Sequence, residues 1–243
     1  MSSQAGITAE SNKFVTMRRT EFKGEIIVKV FFVGANGKVA RHFAEFVKGD
    51  TDIQEVAMIR NAEQAAFFKE RGIETVLLDL IKNTVSELAE AMYGSDVVIF
   101  SAGAGGSSPE QTVLIDLEGA VKTMAAAEEA GIKRFVMVST FRTGREEMAK
   151  ENALQTYTIA KNYADEWLKN RTQLDWTIVH PGILVNEAGI GKVSVGMGLE
   201  IAEVPRQDVA QTLLTVLRSD NTIKKEFEVL GGSTPIEEAI HTI

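Results

Sequence analysis

The sequence predicts an α/β protein built on a doubly wound parallel sheet with helices on both faces. Three observations carry that expectation. Apolar, strand-like runs alternate with helix-compatible stretches at roughly 20 to 25 residues per unit. Several of the runs are apolar almost throughout, as strands covered on both faces should be. The first run ends in a glycine turn that passes directly into a helix, VGANGKVAR from Val33. Alternation of this kind implies right-handed crossovers that wrap both sides of the sheet.

The elements follow in order. Residues 28–33 (VKVFFV) read as the first strand, and the helix after Gly37 should run to about residue 48 and stop at Gly49. Residues 52–59 (DIQEVAMI) form a second strand, 62–71 a helix closed by Gly72, 74–78 (ETVLL) a third strand, and 86–93 a helix stopped by Gly94. Residues 96–101 (DVVIFS) form a fourth strand and 102–108 (AGAGGSS) a flexible loop. Pro109 opens a long helix to residue 130, which Gly131 terminates just past its end, and 134–138 (RFVMV) is the fifth strand. Residues 144–150 connect to a second long helix over 152–170, and 174–179 (LDWTIV) is a sixth strand entering His180-Pro181-Gly182. The remainder is glycine-rich over 189–204 with strand-like alternation at 192–195. A helix follows from Pro205 to residue 217, then a strand over 226–230 and a short helix over 235–240. With no internal repeat and no linker, residues 25–243 form one domain with small C-terminal loops on its substrate side. Residues 1–24 are polar and aperiodic and read as a flexible leader, with Met17 a possible second start.

Composition narrows the function classes. A chain of 243 residues, 44% hydrophobic and 25% charged, is ordinary for a globular protein. The net charge of −8 argues against nucleic acid or an anionic membrane surface as partner. The absence of cysteine removes disulfides, a thiol nucleophile and any cysteine-based metal site, and no metal is expected. The run at residues 26–35 is interrupted by Lys29 and is too short to span a bilayer. A cytoplasmic protein acting on a small molecule, as monomer or homodimer, is the expectation.

In doubly wound sheets ligands lie at the carboxyl ends of the strands, near the point where strand order reverses. At the first strand, Gly34 and Gly37 leave out Cβ atoms that would block a ligand, and the following helix directs unpaired N–H groups at the turn, an arrangement suited to phosphate. Ala40 stands where the fuller glycine pattern has its third glycine. At the second strand's end there is no Asp or Glu, and Arg60 is present. An acid would bond a ribose 2′-hydroxyl and an arginine accommodates a 2′-phosphate, which favours NADP over NAD; the alternative is a solvated surface arginine. Asp79 either accepts from an adenine amino group or caps the next turn. The small residues after the fourth strand let a ribose lie on the main chain, or serve only a mobile loop. Asp116 shares an apolar stripe with Val113, Ala120 and Met124. A carboxylate there needs a partner or its proton, unless it lies at the stripe's margin. Tyr157 and Lys161, four apart, project from one helix face, where an ammonium beside a phenol suits the phenol to proton transfer during hydride transfer.

Together these motifs resemble the short-chain dehydrogenase/reductases, in particular their atypical single-domain branch of NAD(P)-binding epimerase/dehydratase or oxidoreductase type. VGANGKVAR, the MIRN ending at Asn61, Asp79-Leu80, GIKRFVMVST ending at Thr140, YTIAKNYADEWL from Tyr157, TIVHPGIL from Thr177 and TPIEEAI from Thr234 carry the resemblance, which spans about residues 28–240. It implies a Rossmann fold with Gly34, Asn36, Gly37, Lys38 and Val39 around the pyrophosphate and Arg60 at the 2′-phosphate. Asp79 and Leu80 would approach adenine, and Ser101, Ala102 and Gly103 the adenosine ribose side. Lys161 would bond the nicotinamide ribose, and Pro181, Gly182 and Ile183 would meet the carboxamide. Tyr157 is the implied acid/base, with Ser139 or Thr140 orienting a substrate oxygen and Asp116 where most of the family has a site asparagine. The substrate pocket is then left to loops around 142–149 and 186–204. The implied activity is NADP-dependent hydride transfer to or from a small carbonyl, quinone or flavin-like substrate. The alternatives are a sensor of NADP without turnover and a nucleotide-sugar epimerase or dehydratase, the last usually requiring a larger C-terminal domain.

Overall fold

The computed structural model describes residues 20–22 and 25–243. Most of the expected leader, residues 1–19 with Met17, and residues 23–24 lie outside the described residues. Thr20–Phe22, inside the expected leader, is a short strand β1 paired antiparallel with the start of β2 (Glu25–Val33).

Beyond β2 come α1 (Lys38–Val47), β3 (Ile53–Ile59), a 3₁₀ turn (Ala62–Gln64) leading into α2 (Ala65–Lys69), β4 (Glu74–Leu77), α3 (Val85–Met92) and β5 (Val97–Phe100). The long helix after Pro109 has three parts: α4 (Pro109–Thr112), a π-helical segment (Val113–Glu118) and α5 (Gly119–Glu129). Then follow β6 (Arg134–Val138), the single turn α6 (Arg145–Met148) within the expected loop, α7 (Gln155–Arg171) and β7 (Asp175–Pro181). The C-terminal part holds β8 (Ile183–Val185), β9 (Lys192–Gly196), β10 (Glu203–Pro205), α8 (Arg206–Leu217), β11 (Lys225–Gly231), β12 (Thr234–Pro235) and α9 (Ile236–His241).

The main sheet runs β12-β9-β11-β7-β6-β5-β2-β3-β4. From β4 to β11 every pairing is parallel, whereas β9 joins β11 and β12 antiparallel, so the doubly wound sheet carries an antiparallel edge. Strands β8 and β10 make a separate two-stranded parallel pair. Each has only three residues, too few for alternation to reveal.

Side-chain alternation along the strands feeds two cores. On one face Val30, Phe32, Ala57 and Val136 pack with Phe43 of α1, Val209 and Leu213 of α8 and Ile240 of α9. On the other, Phe31, Val33, Val98 and Phe135 meet Leu88 of α3, Met124 of α5 and Leu168 of α7. Helices α1 and α7 therefore sit on opposite faces, and the strand order reverses between β2 and β5. The carboxyl ends of those two strands open the crevice that doubly wound folds use for ligands.

Candidate functional site

At the crevice, Gly34 takes φ +84°, and a Cβ on it would lie 2.6 Å from the backbone nitrogen of Ala102. The glycine thus lets the turn after β2 close against the chain leaving β5. Gly37 N donates to Gly34 O at 2.9 Å and forms the N-cap of α1, whose first N–H groups face the crevice. The side chain of Asn36 accepts from Arg41 at 2.6 Å, which pins the turn to the helix it starts.

One part of the cleft, about 250 Å³, is lined by Gly34, Asn36, Gly37, Arg60, Asp79, Leu80, Ala102 and Gly103. Arg60 is exposed at its rim. Gln64 accepts from the backbone nitrogens of Arg60 and Asn61 at 3.0 and 3.2 Å and so holds the strand end in place. Asp79 accepts from Ile81 N at 2.8 Å, so its carboxylate caps the turn while also bordering the cleft.

The second part, about 470 Å³, shares Gly37, Ala102 and Gly103 with the first, and the two form one continuous crevice. Lys38, Val39, Ser101, Asp116, Ser139, Tyr157, Lys161 and Pro181 border it. Lys161 and Asp116 are buried there, 3% and 0% exposed, with Nζ 3.5 Å from Asp116 Oδ1. Lys161 Nζ also donates to Val138 O at 3.2 Å, and Asp116 Oδ2 accepts from Ala104 N at 2.9 Å. The expectation that a buried Asp116 has a partner is met, but its stripe differs from the predicted one. Val113 is 45% exposed while Ala120 and Met124 are fully buried. Gly119 N bonds Leu114 O, five residues back; this wider turn rotates Val113 away from the stripe.

Thr140, Gly182 and Ile183 do not border the crevice. The carbonyl of Thr140 is bound by His180. Gly182 is needed for packing, since a Cβ there would collide with Ala202 O and the Leu230 side chain. Ile183 is half exposed. The loops expected to frame the substrate also diverge. Arg142, Gly144 and Glu147 line a separate cavity of about 600 Å³ with Lys169, His180, Met197 and Glu226. The crevice is instead completed by Thr112, Leu154, Leu184 and Arg206.

A crevice at the switch point, with a glycine turn, a helix N-terminus, an arginine at the rim and a lysine held at its floor, fits a dinucleotide. The model of the NAD(P)H-binding family matches residues 34–220, beginning at the turn glycine itself. The chain belongs to the NAD(P)H-binding family. The resemblance read from the motifs holds at this level. This NAD(P)H-binding protein is 42% identical over 214 residues to the "Uncharacterized sugar epimerase YhfK" of Bacillus subtilis, covering 88% of this chain and 99% of that one. A Bacillus halodurans structure provisionally named an NAD-dependent epimerase/dehydratase shares 40% identity with a TM-score of 0.82, over 89% of this chain and 100% of that one. The oxidoreductase ylbE of Lactococcus lactis shares 33% identity with a TM-score of 0.81, over 89% and 96%.

Behind the crevice lies a polar network that sequence reasoning missed. Ser139 Oγ donates to Asp165 Oδ2 at 2.5 Å, and both residues are buried. His180 places Nδ1 2.8 Å from Thr140 O and Nε2 3.2 Å from Glu226 Oε2. Both ring nitrogens face acceptors, an arrangement that favours the doubly protonated ring. Burial alone would lower its pKa; the Glu226 bond, the Asp165 charge and the Thr140 carbonyl outweigh that and raise it. The same His180 hydrogen bond, helped by Lys169, holds the Glu226 carboxyl down at about 2. One signal for Asp165 was available: it follows Tyr157 and Lys161 at four-residue steps on the same helix face.

Proposed function

We propose that the protein is an NADP-dependent oxidoreductase of the atypical short-chain dehydrogenase/reductase type, moving hydride to or from a small carbonyl, quinone or flavin-like substrate. The observation that carries the reading is the shared placement of Tyr157, Lys161 and Ser139 on one wall of the crevice whose far rim holds Arg60. Residues of the α1 turn would hold the diphosphate, Arg60 the 2′-phosphate, and Lys161 the nicotinamide ribose. The bound nicotinamide would supply or accept the hydride. Lys161, fixed by Asp116 and the Val138 carbonyl, keeps a positive charge at the floor of the cavity. Tyr157 hands a proton to the substrate oxygen or takes one from it, beside apolar Leu184 and Pro181.

Titration with NADPH and NADH tests the cofactor, and NADPH oxidation across carbonyls, quinones and flavins tests the reaction. NADPH should bind more tightly, and Tyr157→Phe should stop turnover while leaving NADPH affinity intact. Equal affinity for NADH defeats the Arg60 argument; no oxidation of NADPH with any substrate defeats the oxidoreductase reading.

The name of the B. subtilis relative favours a second reading, epimerisation of a sugar. That relative is matched over 99% of its length, so the length of the matched region does not separate the two readings. An epimerase regenerates its cofactor each cycle. It would interconvert sugar epimers with bound cofactor and show no net NADPH oxidation.

A further inference from the structure

Asp165 lies outside the crevice, yet it is bonded to a side chain that borders it. Ser139 lines the cavity beside Tyr157 and Lys161, and its hydroxyl hydrogen is committed to Asp165 Oδ2 at 2.5 Å. A serine hydroxyl has one hydrogen and two lone pairs. With its hydrogen spent on a carboxylate, Ser139 can only accept from a group in the cavity. It can meet an alcohol O–H but cannot donate to a carbonyl. Among the described residues Asp165 Oδ1 has no hydrogen-bond partner, although it is buried.

We infer that Asp165 is a specificity-determining positioning residue, whose protonation sets whether Ser139 offers the crevice a lone pair or a hydrogen. One proton taken from solvent converts the state. With that proton on Oδ2, the Asp165 O–H donates to Ser139 Oγ in place of the bond the carboxylate accepted, and the freed serine hydrogen turns into the cavity. Ionised Asp165 matches an alcohol substrate and protonated Asp165 a carbonyl substrate, an assignment that rests on the oxidoreductase reading above. The groups facing Asp165 are Ser139 at the end of β6, His180 on β7 and, on its own helix, Lys161 and Lys169; Glu226 on β11 holds His180 and Lys169 from behind. Burial pushes the Asp165 carboxyl up to about 6, against the His180 charge and the Ser139 hydrogen bond that pull it down.

The test follows the carboxyl carbons of ¹³C-labelled aspartate by NMR, with the Asp165 signal assigned by its loss in Asp165→Asn. The native signal should titrate near pH 6, and Ser139→Ala, which removes a bond to the ionised form, should move the midpoint upward. A carboxyl ionised down to pH 4, or a midpoint unmoved by Ser139→Ala, overturns the inference. A second arm uses NADPH with menadione as probe oxidant. Above the midpoint the native rate should fall about tenfold per pH unit as the protonated fraction falls. Asp165→Asn, which has no proton to gain or lose, should keep a flat profile; a variant profile that tracks the native one overturns the inference. If menadione is not reduced, the NMR titration alone decides the switch, and the oxidoreductase reading is decided by the wider panel of carbonyls, quinones and flavins.

Discussion

Lys161 Nζ stands 3.5 Å from Asp116 Oδ1, and neither side chain is more than 3% exposed. The pair joins α7 to the π-helical segment, and among the described residues Asp116 Oδ1 makes no hydrogen bond besides this ionic contact. Removing one member of a buried pair strands the other charge, at a cost of about 3–5 kcal/mol. Asp116→Ala should therefore lower Tm by roughly 10 °C in a domain of this size. Calorimetry checks this, and NADPH affinity should fall with it because Lys161 loses its fixed position. An unchanged Tm would mean that the charge is compensated elsewhere.

Arg60 is expected to distinguish the two dinucleotides. A charged hydrogen bond to a 2′-phosphate contributes about 1.5–3 kcal/mol. Arg60→Ala should weaken NADPH binding by roughly tenfold to a hundredfold and leave NADH binding almost unchanged. Parallel fluorescence titrations with the two cofactors measure the ratio.

Gly34→Ala should damage fold and site together. The residue sits at φ +84°, and the added Cβ would lie 2.6 Å from Ala102 N, a backbone atom with no freedom to swing aside. Left-handed strain of about 1–3 kcal/mol adds to the forced separation of the two loops. Thermal unfolding and NADPH titration should both register the loss, whereas Gly49→Ala, with φ +75° but open space around it, should show only the strain.

Glu55 should make stability depend on pH. It is 2% exposed on β3, on the sheet face where Ile53 and Ala57 join the core with Phe43 and Phe68. Neither carboxyl oxygen has a hydrogen-bond partner among the described residues. Burial pushes its pKa up from 4.5 to about 8. The folded state thus holds a proton that the unfolded chain releases, and stability falls as pH rises from 4.5 to about 8. The slope from this group is about 1.4 kcal/mol per unit, and the loss levels off above pH 8. Glu55→Gln should remove that slope and be the more stable protein by a few kcal/mol near pH 8. Urea melts of both proteins between pH 5 and 9 measure the difference.

The legible parts of this fold were those set by local chemistry. The long elements could be read because burial on both faces demands apolar runs in β5 and β6, and because glycines mark where helices must stop. Gly34, Gly37 and Arg60 were readable because the topology rule selects strand ends, and Lys161 because it stands four residues from Tyr157 on one helix face. Val113 was misplaced because a stripe drawn at the α-helical period fails across a π turn. Strands β8 and β10 left no pattern in three residues each. The loop at 142–149 lines a cavity apart from the crevice, because sequence distance from Ser139 does not say where a loop will lie.

By itself, then, the sequence determined the order and type of the main elements, the glycine turn and the candidate cofactor residues, since each depends on side chains close together along the chain. Only the tertiary structure decided which groups meet across it. Asp116 finds Lys161 from 45 residues away, a proton-sharing pair forms between Ser139 and Asp165, and His180 bridges Thr140 to Glu226. Those partnerships exist only where separate strands and helices bring buried polar groups together, and the low dielectric between them sets which groups carry charge at VGANGKVAR's far end of the crevice.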